Sequence, residues 1–400
     1  MKFTAPCSDL TDALNRVRSA ASGGSLPILG NVALAVADGH LELTCTDLDL
    51  CLRTRLPVAV SKAGDCTVHA GLFFNIVNSL SSDEVEVSHV NNLLTLQAGN
   101  STYKLGTLPL ADFPPLPALK NPVAFELPQL TLRSLLASTG FCQSTDDARF
   151  VLCSTCLSLT PSLITAVATD GRRLAVEESP LAQSATLSLL LPPKTTKELL
   201  RNLATEEKDT EKLPPVSVTC TDNSARFEFG KLTLITKLIA GAYPNYRQVV
   251  PQDAAAPIHV GRSDLLKALK RVNLIADDSC TLEFSGQMLT VSAKGSKVCP
   301  KEAVETILIP RTTPITIKFN PSYLIEALGA VADDEVILHL AAPLSPIVIK
   351  VASKAWLCVI MPLRADAVVK PEPEVEAAAQ APVAPSPNAK PAVAPEPVGV

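Results

Sequence analysis

The sequence has no long apolar run and no hydrophobic segment at its start. Its longest apolar stretches, such as "LSLLLPP" at 187–193, are far shorter than the roughly 20 residues of a membrane-spanning helix. The first residues, "MKFTAPCSDL", lack the apolar core of a signal peptide. We therefore expect a cytoplasmic protein that has no membrane partner.

The motifs of common enzyme classes are also missing. The five histidines, at 40, 69, 89, 259 and 339, are scattered and show no metal-ligand spacing. There is no GxSxG turn and no phosphate-binding glycine loop. We therefore predict no catalytic residue, no metal and no cofactor. One alternative is an enzyme in which Asp170, Arg172 and Arg173 act on a phosphorylated substrate.

Eleven cysteines, an odd number, are scattered singly through strand-like stretches. This pattern is typical of reduced, buried thiols in a cytosolic protein rather than of a disulfide framework. The one CxxC pair, Cys153 and Cys156, lies in "RFVLCSTCLSLT", which we predict to be a strand. Residues three apart on a strand point to opposite faces, so we expect neither a metal site nor a bridge there.

The net charge of −5 does not by itself favour binding to nucleic acid. Part of the acidic excess belongs to the Pro/Ala-rich end, "KPEPEVEAAAQAPVAPSPNAKPAVAPEPVGV" at 370–400, which has no aromatic residue. We predict a disordered tail over 366–400 because such a composition has little to bury. The rest of the chain is close to neutral and can still carry a basic surface.

A unit of helix, strands, helix and strands occurs three times along the chain. The opening helices are predicted in "CSDLTDALNRVRSAA" (7–21), "LPQLTLRSLLASTGF" (127–141) and "GRSDLLKALKRVNLI" (261–275). Leu10, Leu14 and Val17 recur at helical spacing behind a Ser8 cap, and Ser263 is the matching cap of the third helix. The second helices are predicted in 69–80, 192–203 and 320–331. The repeats predict three domains, 1–120, 121–253 and 254–365, called the first, second and third repeat below.

The stretch "VATDGRRLAV" at 167–176 lies between two predicted strands of the second repeat. Thr46-Asp47 and Lys294-Gly295 stand at the matching places of the first and third repeats, where Thr169-Asp170 stands in the second. Asp and Gly are the residues that a tight turn requires. We therefore interpret the stretch first as a structural turn that is made three times.

These features together resemble the family of bacterial DNA polymerase III β subunits, the sliding clamps. The resemblance is carried by "MKFT" (1–4), "LPILGNVALAVADGHLELTCTDLDL" (26–50), "GTLPLADFPPLP" (106–117), "VATDGRRLAV" (167–176), "KLIAGAYPNYRQVVP" (237–251), "FNPSYLIEAL" (319–328) and "CVIMPLR" (358–364). It implies an α+β fold of three similar domains, each with two helices and flanking antiparallel sheets. It also implies a ring in which two copies join head to tail.

The implied function is to encircle duplex DNA without reading its sequence and to tether the replicative polymerase, with no catalytic site. The implied partners are double-stranded DNA, the DNA polymerase III α subunit, the clamp loader, other proteins with clamp-binding motifs and a second copy of the chain. An alternative within the same family is a diverged second clamp that acts in repair, resistance or inhibition.

The resemblance places a peptide-binding cleft beside the second and third repeats. Its residues would be Leu152, Thr169, Gly171, Arg172, Arg173, Leu174, Pro244, Gln248, Val249, Val359, Ile360, Met361, Pro362, Leu363 and Arg364. The aliphatic residues and Met361 would form an adaptable floor, and Arg and Thr at the rim would hold carbonyl groups and a glutamine. Arg172, Gln248 and Leu363 depart from residues common in the family, so we expect an altered partner preference.

The resemblance also places the helices around the DNA and a strand contact between the two copies. The DNA-facing residues would be Arg16, Arg18, Arg133, Lys194, Lys197, Arg201, Lys267, Lys270 and Arg271. They would meet phosphates rather than bases. The dimer contact would join 101–109 to 271–278 of the other copy, with Tyr103, Leu105, Leu274 and Ile275 as its apolar part.

Overall fold

The computed structural model describes residues 1–24, 26–117, 119–182, 185–205, 213–251, 256–295 and 301–363. Arg364 and the tail predicted over 366–400 lie outside these residues. None of the helices in the described part of the chain is both long and apolar enough to cross a membrane.

The described residues form six α-helices, two in each repeat. They are α1 (Cys7–Val17), α2 (Ala70–Ser79), α3 (Gln129–Thr139), α4 (Pro193–Asn202), α5 (Arg262–Asn273) and α6 (Pro321–Gly329). Each opening helix packs against the second helix of its own repeat. The predicted helical spacing is confirmed in α1, where Leu10, Leu14 and Val17 are fully buried on one face.

The prediction that Ser8 and Ser263 cap their helices is wrong. Helix α1 begins one residue earlier, at Cys7, and α5 begins at Arg262, and neither has a side-chain cap. A strand runs directly into each helix, and a backbone carbonyl from a distant part of the same chain accepts from the first N–H group of the helix. The Cys7 N–H donates to the Asp83 carbonyl (2.8 Å) and the Arg262 N–H to the Asp334 carbonyl (2.9 Å).

The strands of the three repeats follow one order. The first repeat has β1 (Lys2–Pro6), β2 (Asn31–Ala37), β3 (His40–Thr46), β4 (Leu50–Pro57), β5 (Ala59–Lys62), β6 (Gly64–His69), β7 (Glu84–Val90), β8 (Leu93–Ala98) and β9 (Ser101–Leu108). The second has β10 (Val123–Leu127), β11 (Thr155–Thr160), β12 (Leu163–Thr169), β13 (Arg173–Pro180), β14 (Leu187–Leu191), β15 (Val216–Cys220), β16 (Ser224–Phe229) and β17 (Leu232–Lys237). The third has β18 (Pro257–Gly261), β19 (Cys280–Gly295), β20 (Lys301–Phe319), β21 (Glu335–His339), β22 (Ile347–Lys350) and β23 (Ala355–Ile360).

In the third repeat, two long strands replace four short ones. β19 and β20 pair along most of their length, and the register shifts beside Gly286, whose φ of +58° is easy for glycine. The halves of β19 therefore correspond to β2 and β3 of the first repeat. The first half of β20 corresponds to β4, and to β13 of the second repeat.

Antiparallel sheets continue across both junctions between repeats. β4 of the first repeat pairs with β17, the last strand of the second, from Leu50↔Thr236 to Thr54↔Leu232. β13 of the second repeat pairs with β23, the last strand of the third, from Arg173↔Ile360 to Glu178↔Ala355. The same two strand positions therefore form both junctions.

The turns after β3 and β12 are built alike, as the sequence predicts. The Thr46 and Thr169 hydroxyls donate to the carbonyl groups of Leu50 (3.0 Å) and Arg173 (2.7 Å). In each turn the following aspartate accepts two backbone N–H bonds. The third member of the prediction is wrong in detail, because Lys294 and Gly295 still pair as strand residues with 301–302. The connection at 296–300 lies outside the described residues.

The cysteine prediction is confirmed for the described thiols, with one correction. Nine of the ten described cysteines are buried and all ten are free. Burial raises the pKa of Cys51 and of Cys66 to about 12, which keeps both thiols protonated and unreactive. The CxxC pair is not on one strand, because Cys153 ends a 3₁₀ helix (Asp147–Cys153) and β11 begins at Thr155.

Candidate functional site

The turn between β12 and β13 forms one wall of a cleft. The Asp170 carboxylate accepts from the N–H groups of Arg172 (2.8 Å) and Arg173 (2.9 Å). Gly171 has a φ of +84°, a conformation that residues with a side chain rarely adopt. Arg172 is therefore held at the exposed tip of the turn, and the Asp170 carboxylate beside it is already bonded to backbone N–H groups of the turn.

The Arg173 side chain faces the opposite way, into the junction of the second and third repeats. Its guanidinium donates to Asp170 (3.1 Å), to Glu326 on α6 (2.8 Å) and to the Phe141 carbonyl (2.9 Å). It also lies over the Tyr323 ring, 4.5 Å from the ring centroid. Only 9% of the side chain is exposed. The Arg173 guanidinium therefore joins the two repeats, and the expectation that it also holds a peptide stays a prediction.

A cavity of about 250 Å³ lies against this turn. Of the residues that the resemblance places in the cleft, its lining contains Leu152, Thr169, Gly171, Arg172, Arg173, Leu174, Pro244, Val249, Val359 and Met361. It also contains Asn245 and Tyr246, which the sequence interpretation missed although both lie between Pro244 and Gln248. Residues from β12, β13, β23 and the segment after β17 thus meet at one place.

Four of the other five predicted cleft residues are described, and they lie outside this lining. Ile360 is fully buried in the core of the third repeat, because side chains alternate along β23 and Val359 faces the cleft. Gln248, Pro362 and Leu363 lie outside the cavity lining, and Leu363 donates its N–H to the Lys318 carbonyl (2.8 Å). Arg364 lies outside the described residues.

Apolar side chains dominate the exposed surface of the cleft. Met361 is 47% exposed and Val249 is 57% exposed. The floor is a row across three strands, in which Leu174 pairs with Val359 and Val359 with Val348. A concave apolar surface with a few polar groups at its edge is suited to an apolar side chain of a partner.

An ion pair between a partly exposed lysine and a buried carboxylate holds the wall of the cleft in place from behind. Glu177 on β13 is 4% exposed and accepts from Lys354 (2.6 Å) and from the hydroxyl of Ser134 (2.6 Å) on α3. Ser138 also donates to this carboxylate, and its carbonyl accepts from the Trp356 indole (2.9 Å). Arg173 and Glu177 lie four residues apart on β13, so both fix the junction of the second and third repeats from the face of the strand turned away from Leu174 and the cleft.

Five of the nine predicted DNA-facing residues have partners within the chain, and the other four have none in the described structure. Arg133 donates to the Leu200 and Leu203 carbonyls, and Arg201 donates to carbonyl groups at the end of α1. Lys194 pairs with Asp47, and Arg271 pairs with Glu305. Arg18 lies over the Phe74 ring at 4.0 Å. The described structure gives Arg16, Lys197, Lys267 and Lys270 no partner, and all four are exposed.

Two of the bound cations, Arg201 and Lys194, join the first and second repeats. Arg201 on α4 donates to the carbonyl groups of Asn15 and Arg16 (2.8 Å each), which are the free acceptors at the end of α1. Lys194 pairs with Asp47 in the turn after β3. Burial alone would raise the pKa of Asp47, but the hydrogen bonds from Lys194 and from backbone N–H groups hold that pKa below its ordinary value.

The residues predicted for the dimer contact differ in exposure. Leu274 is 83% exposed and Tyr103 is 37% exposed, whereas Leu105 is buried in the core of its own repeat. β9 pairs with β8 on one side, and on the other side only its end, at Thr107 and Leu108, pairs with β6. The segment 271–278 is the end of α5 and the turns after it, so it contributes no strand.

No group of three or more acidic, histidine or cysteine side chains that could hold a metal ion occurs among the described residues.

The family models of the DNA polymerase III beta subunit match nearly all of the chain up to the tail. The N-terminal domain model matches residues 1–117, the central domain model 126–245 and the C-terminal domain model 247–364.

Proteins of known identity match over the same length. A beta sliding clamp of Salmonella typhimurium is 34% identical over 375 residues, and that of Escherichia coli K12 is 32% identical. Each alignment covers 91% of this chain and all of the relative. A sliding clamp structure from Pseudomonas aeruginosa is 28% identical, has a TM-score of 0.85, and is matched over 91% of this chain and all of that one. The expected α+β fold of three tandem clamp domains is thereby confirmed, and the chain belongs to the family of bacterial DNA polymerase III beta subunits, the beta sliding clamps.

Proposed function

We propose that two copies of this chain close head to tail into a ring around double-stranded DNA. The proposal is carried by the pairing of equivalent strands at both junctions, β4 with β17 and β13 with β23. The equivalent strand of the third repeat is the first half of β20, residues 301–309. β17 and β23 are the last strands of the second and third repeats, and β9 is the last strand of the first. The first half of β20 would therefore pair with β9 of the second copy.

Exposed apolar side chains support this contact. Leu274 is 83% exposed, and Val304 on the open half of β20 is 58% exposed. Arg271 pairs with Glu305 at 2.6 Å, which holds the end of α5 against the same strand. On the opposing edge, Tyr103 and Leu108 are 37% and 41% exposed. We propose the predicted boundaries, 1–120, 121–253 and 254–365, as the domains of this ring.

The helices supply a surface for DNA. Arg201 links α4 to the end of α1, and Arg173 joins Glu326 on α6 to the Phe141 carbonyl just after α3. The exposed cations without a partner in the described structure, Arg16, Lys197, Lys267 and Lys270, lie on this helical layer. A few dispersed cations attract phosphates without fixing a register, and such contacts allow movement along the duplex.

The ring is tested by sedimentation and by retention on DNA. We expect the full chain to sediment as a dimer of twice 42.2 kDa. After loading by a clamp loader and ATP, it should stay on nicked circular DNA and leave when the circle is cut, because a closed ring can slide off only at an end. A monomer, or equal retention on circular and linear DNA, would contradict the proposal.

The cleft is proposed to dock apolar anchors of the polymerase α subunit, the clamp loader and other partners. A suitable probe is the labelled peptide Gln-Leu-Ala-Leu-Phe, which combines a glutamine for the rim with apolar side chains for the floor. It is called the anchor peptide below. We expect Leu174→Ala and Met361→Ala each to weaken its binding by at least about tenfold, since each removes apolar contact worth about 1.4 kcal/mol or more. Fluorescence polarisation measures the affinity. Leu344→Ala, which removes a leucine that is 68% exposed elsewhere, is the matched control and should bind like the parent chain.

A further inference from the structure

A second cavity, of about 400 Å³, adjoins the cleft on the same face of the sheet. The two cavities share Tyr246, which lies between them. Their floors are successive rows across β13, β23 and β22. The row under the cleft is Leu174, Val359 and Val348, and the next row is Val176, Leu357 and Lys350. Because neighbouring rows on one face of a strand are about 7 Å apart, the two cavities form one continuous groove.

The chemistry of the groove changes from one row to the next. The first row is entirely apolar, whereas the second ends in Lys350, which is exposed and has no partner in the described structure. Arg247 lies at the same cavity, with 71% of its side chain exposed, and its nearest acid is Glu178 at 3.9 Å. Lys354 also lines the cavity but is bound to the buried Glu177. Two available cations therefore face one acid.

We propose that the second cavity binds an acidic side chain of the partner peptide, two to four residues away from its apolar anchor. The inference rests on the proposed docking of peptides in the cleft. An extended peptide advances about 3.3 Å per residue. Two residues therefore span the distance from the first row to the second, and four reach a third row, Glu178 and Ala355, at the far side of the cavity. Arg247 offers a planar pair of donors and Lys350 a mobile charge, which together bind a carboxylate better than a neutral amide of the same shape.

The cavity walls favour a side chain with an apolar stem. Val176, Val250 and Leu357 line the cavity below the two cations. The methylene groups of a glutamate, or an aliphatic neighbour of an aspartate, can pack on these side chains while the carboxylate reaches the rim. The groove thus selects partners by two features at a fixed spacing, an apolar anchor and an acid.

The test compares isosteric extensions of the anchor peptide. Ser-Asp-Asp or Ser-Asn-Asn is added to either end, and the four peptides are titrated against the full chain by fluorescence polarisation. We expect the Asp form to bind about fivefold more tightly than the Asn form at one of the two ends. The gain should shrink when salt is raised from about 0.05 to 0.5 M, because exposed charges are then screened.

Two double variants assign the gain to the cavity. In Arg247→Gln/Lys350→Gln the Asp and Asn forms should bind equally, while the unextended anchor peptide binds as to the parent. Lys62→Gln/Lys231→Gln removes the same charge from exposed lysines of the first and second repeats and should keep the full gain.

Equal binding of the Asp and Asn forms to the parent at both ends would overturn this inference and leave the cleft proposal standing. A gain that persists in Arg247→Gln/Lys350→Gln would do the same. Failure of the unextended peptide to bind would overturn both proposals.

Discussion

Leu274→Lys is expected to convert the proposed ring into monomers. In the single chain Leu274 is 83% exposed, so the substitution should change the free energy of unfolding by less than about 0.5 kcal/mol. In the proposed ring the same position would meet the first repeat of the second copy, where an ammonium group would be buried without a partner. Because a head-to-tail pair has two equal interfaces, the change acts twice. Sedimentation should show a rise of at least about a hundredfold in the dimer dissociation constant, which corresponds to about 2.7 kcal/mol.

Leu48→Lys is the matched control for this variant. Leu48 is 45% exposed, and it lies in the turn before β4, away from β9 and β20. The control should stay dimeric and should be retained on nicked circular DNA, whereas Leu274→Lys should lose retention. Both variants should bind the anchor peptide like the parent, because the cleft belongs to one chain. A Leu274→Lys protein that sediments as the parent does would show that this edge is not the interface.

Lys354→Met is expected to be the most destabilising of the conservative changes at the junction of the second and third repeats. It leaves the Glu177 carboxylate, which is 4% exposed, with only hydroxyl partners. Removing one member of a buried ion pair costs about 3 kcal/mol or more, since the remaining charge is still desolvated. Chemical denaturation should show this loss of unfolding free energy, and the thermal midpoint should fall with it.

Two further variants separate the buried charge from the loss of a lysine. Lys350→Met removes an exposed lysine at the end of β22 and should lower the free energy of unfolding by less than about 0.5 kcal/mol. The double variant Glu177→Gln/Lys354→Met removes both charges and should recover most of the stability, because a neutral amide can still bond with Ser134 and Ser138. If the double variant were as unstable as Lys354→Met, the cost would come from packing rather than from the unpaired carboxylate.

The repeated turns show how far local sequence can carry a prediction. Thr46-Asp47 and Thr169-Asp170 make the same hydrogen bonds because their short polar side chains reach backbone groups two to four residues away. Such contacts join residues that are close in the sequence, so they can be predicted from the sequence alone. The helix starts were mispredicted at Ser8 and Ser263 for the opposite reason, since carbonyl groups about 70 residues away satisfy the first N–H groups.

The cleft shows where the prediction stops. Its apolar members, such as Leu174 and Met361, could be named from the resemblance together with the turn. Arg172 and Arg173 are adjacent and chemically identical, yet one is exposed and the other is bound to Glu326, 153 residues further along the chain. The contribution of Tyr246 and the existence of the second cavity depend on how the segment after β17 lies over β13 and β23.

The sequence by itself determined the three repeats, their helices, the matching turns of the first two, the burial of the described cysteines and the family. These follow from periodicity, turn chemistry and long matching segments, all of which are local properties of the chain. Only the tertiary structure decided which of the two cleft arginines is exposed and which is bound between the repeats, which of the predicted cations are bound within the chain, and that β20 rather than 271–278 offers an open strand. Those outcomes depend on pairings such as β4 with β17 and β13 with β23, which join residues more than 170 positions apart and have no signature in either segment alone.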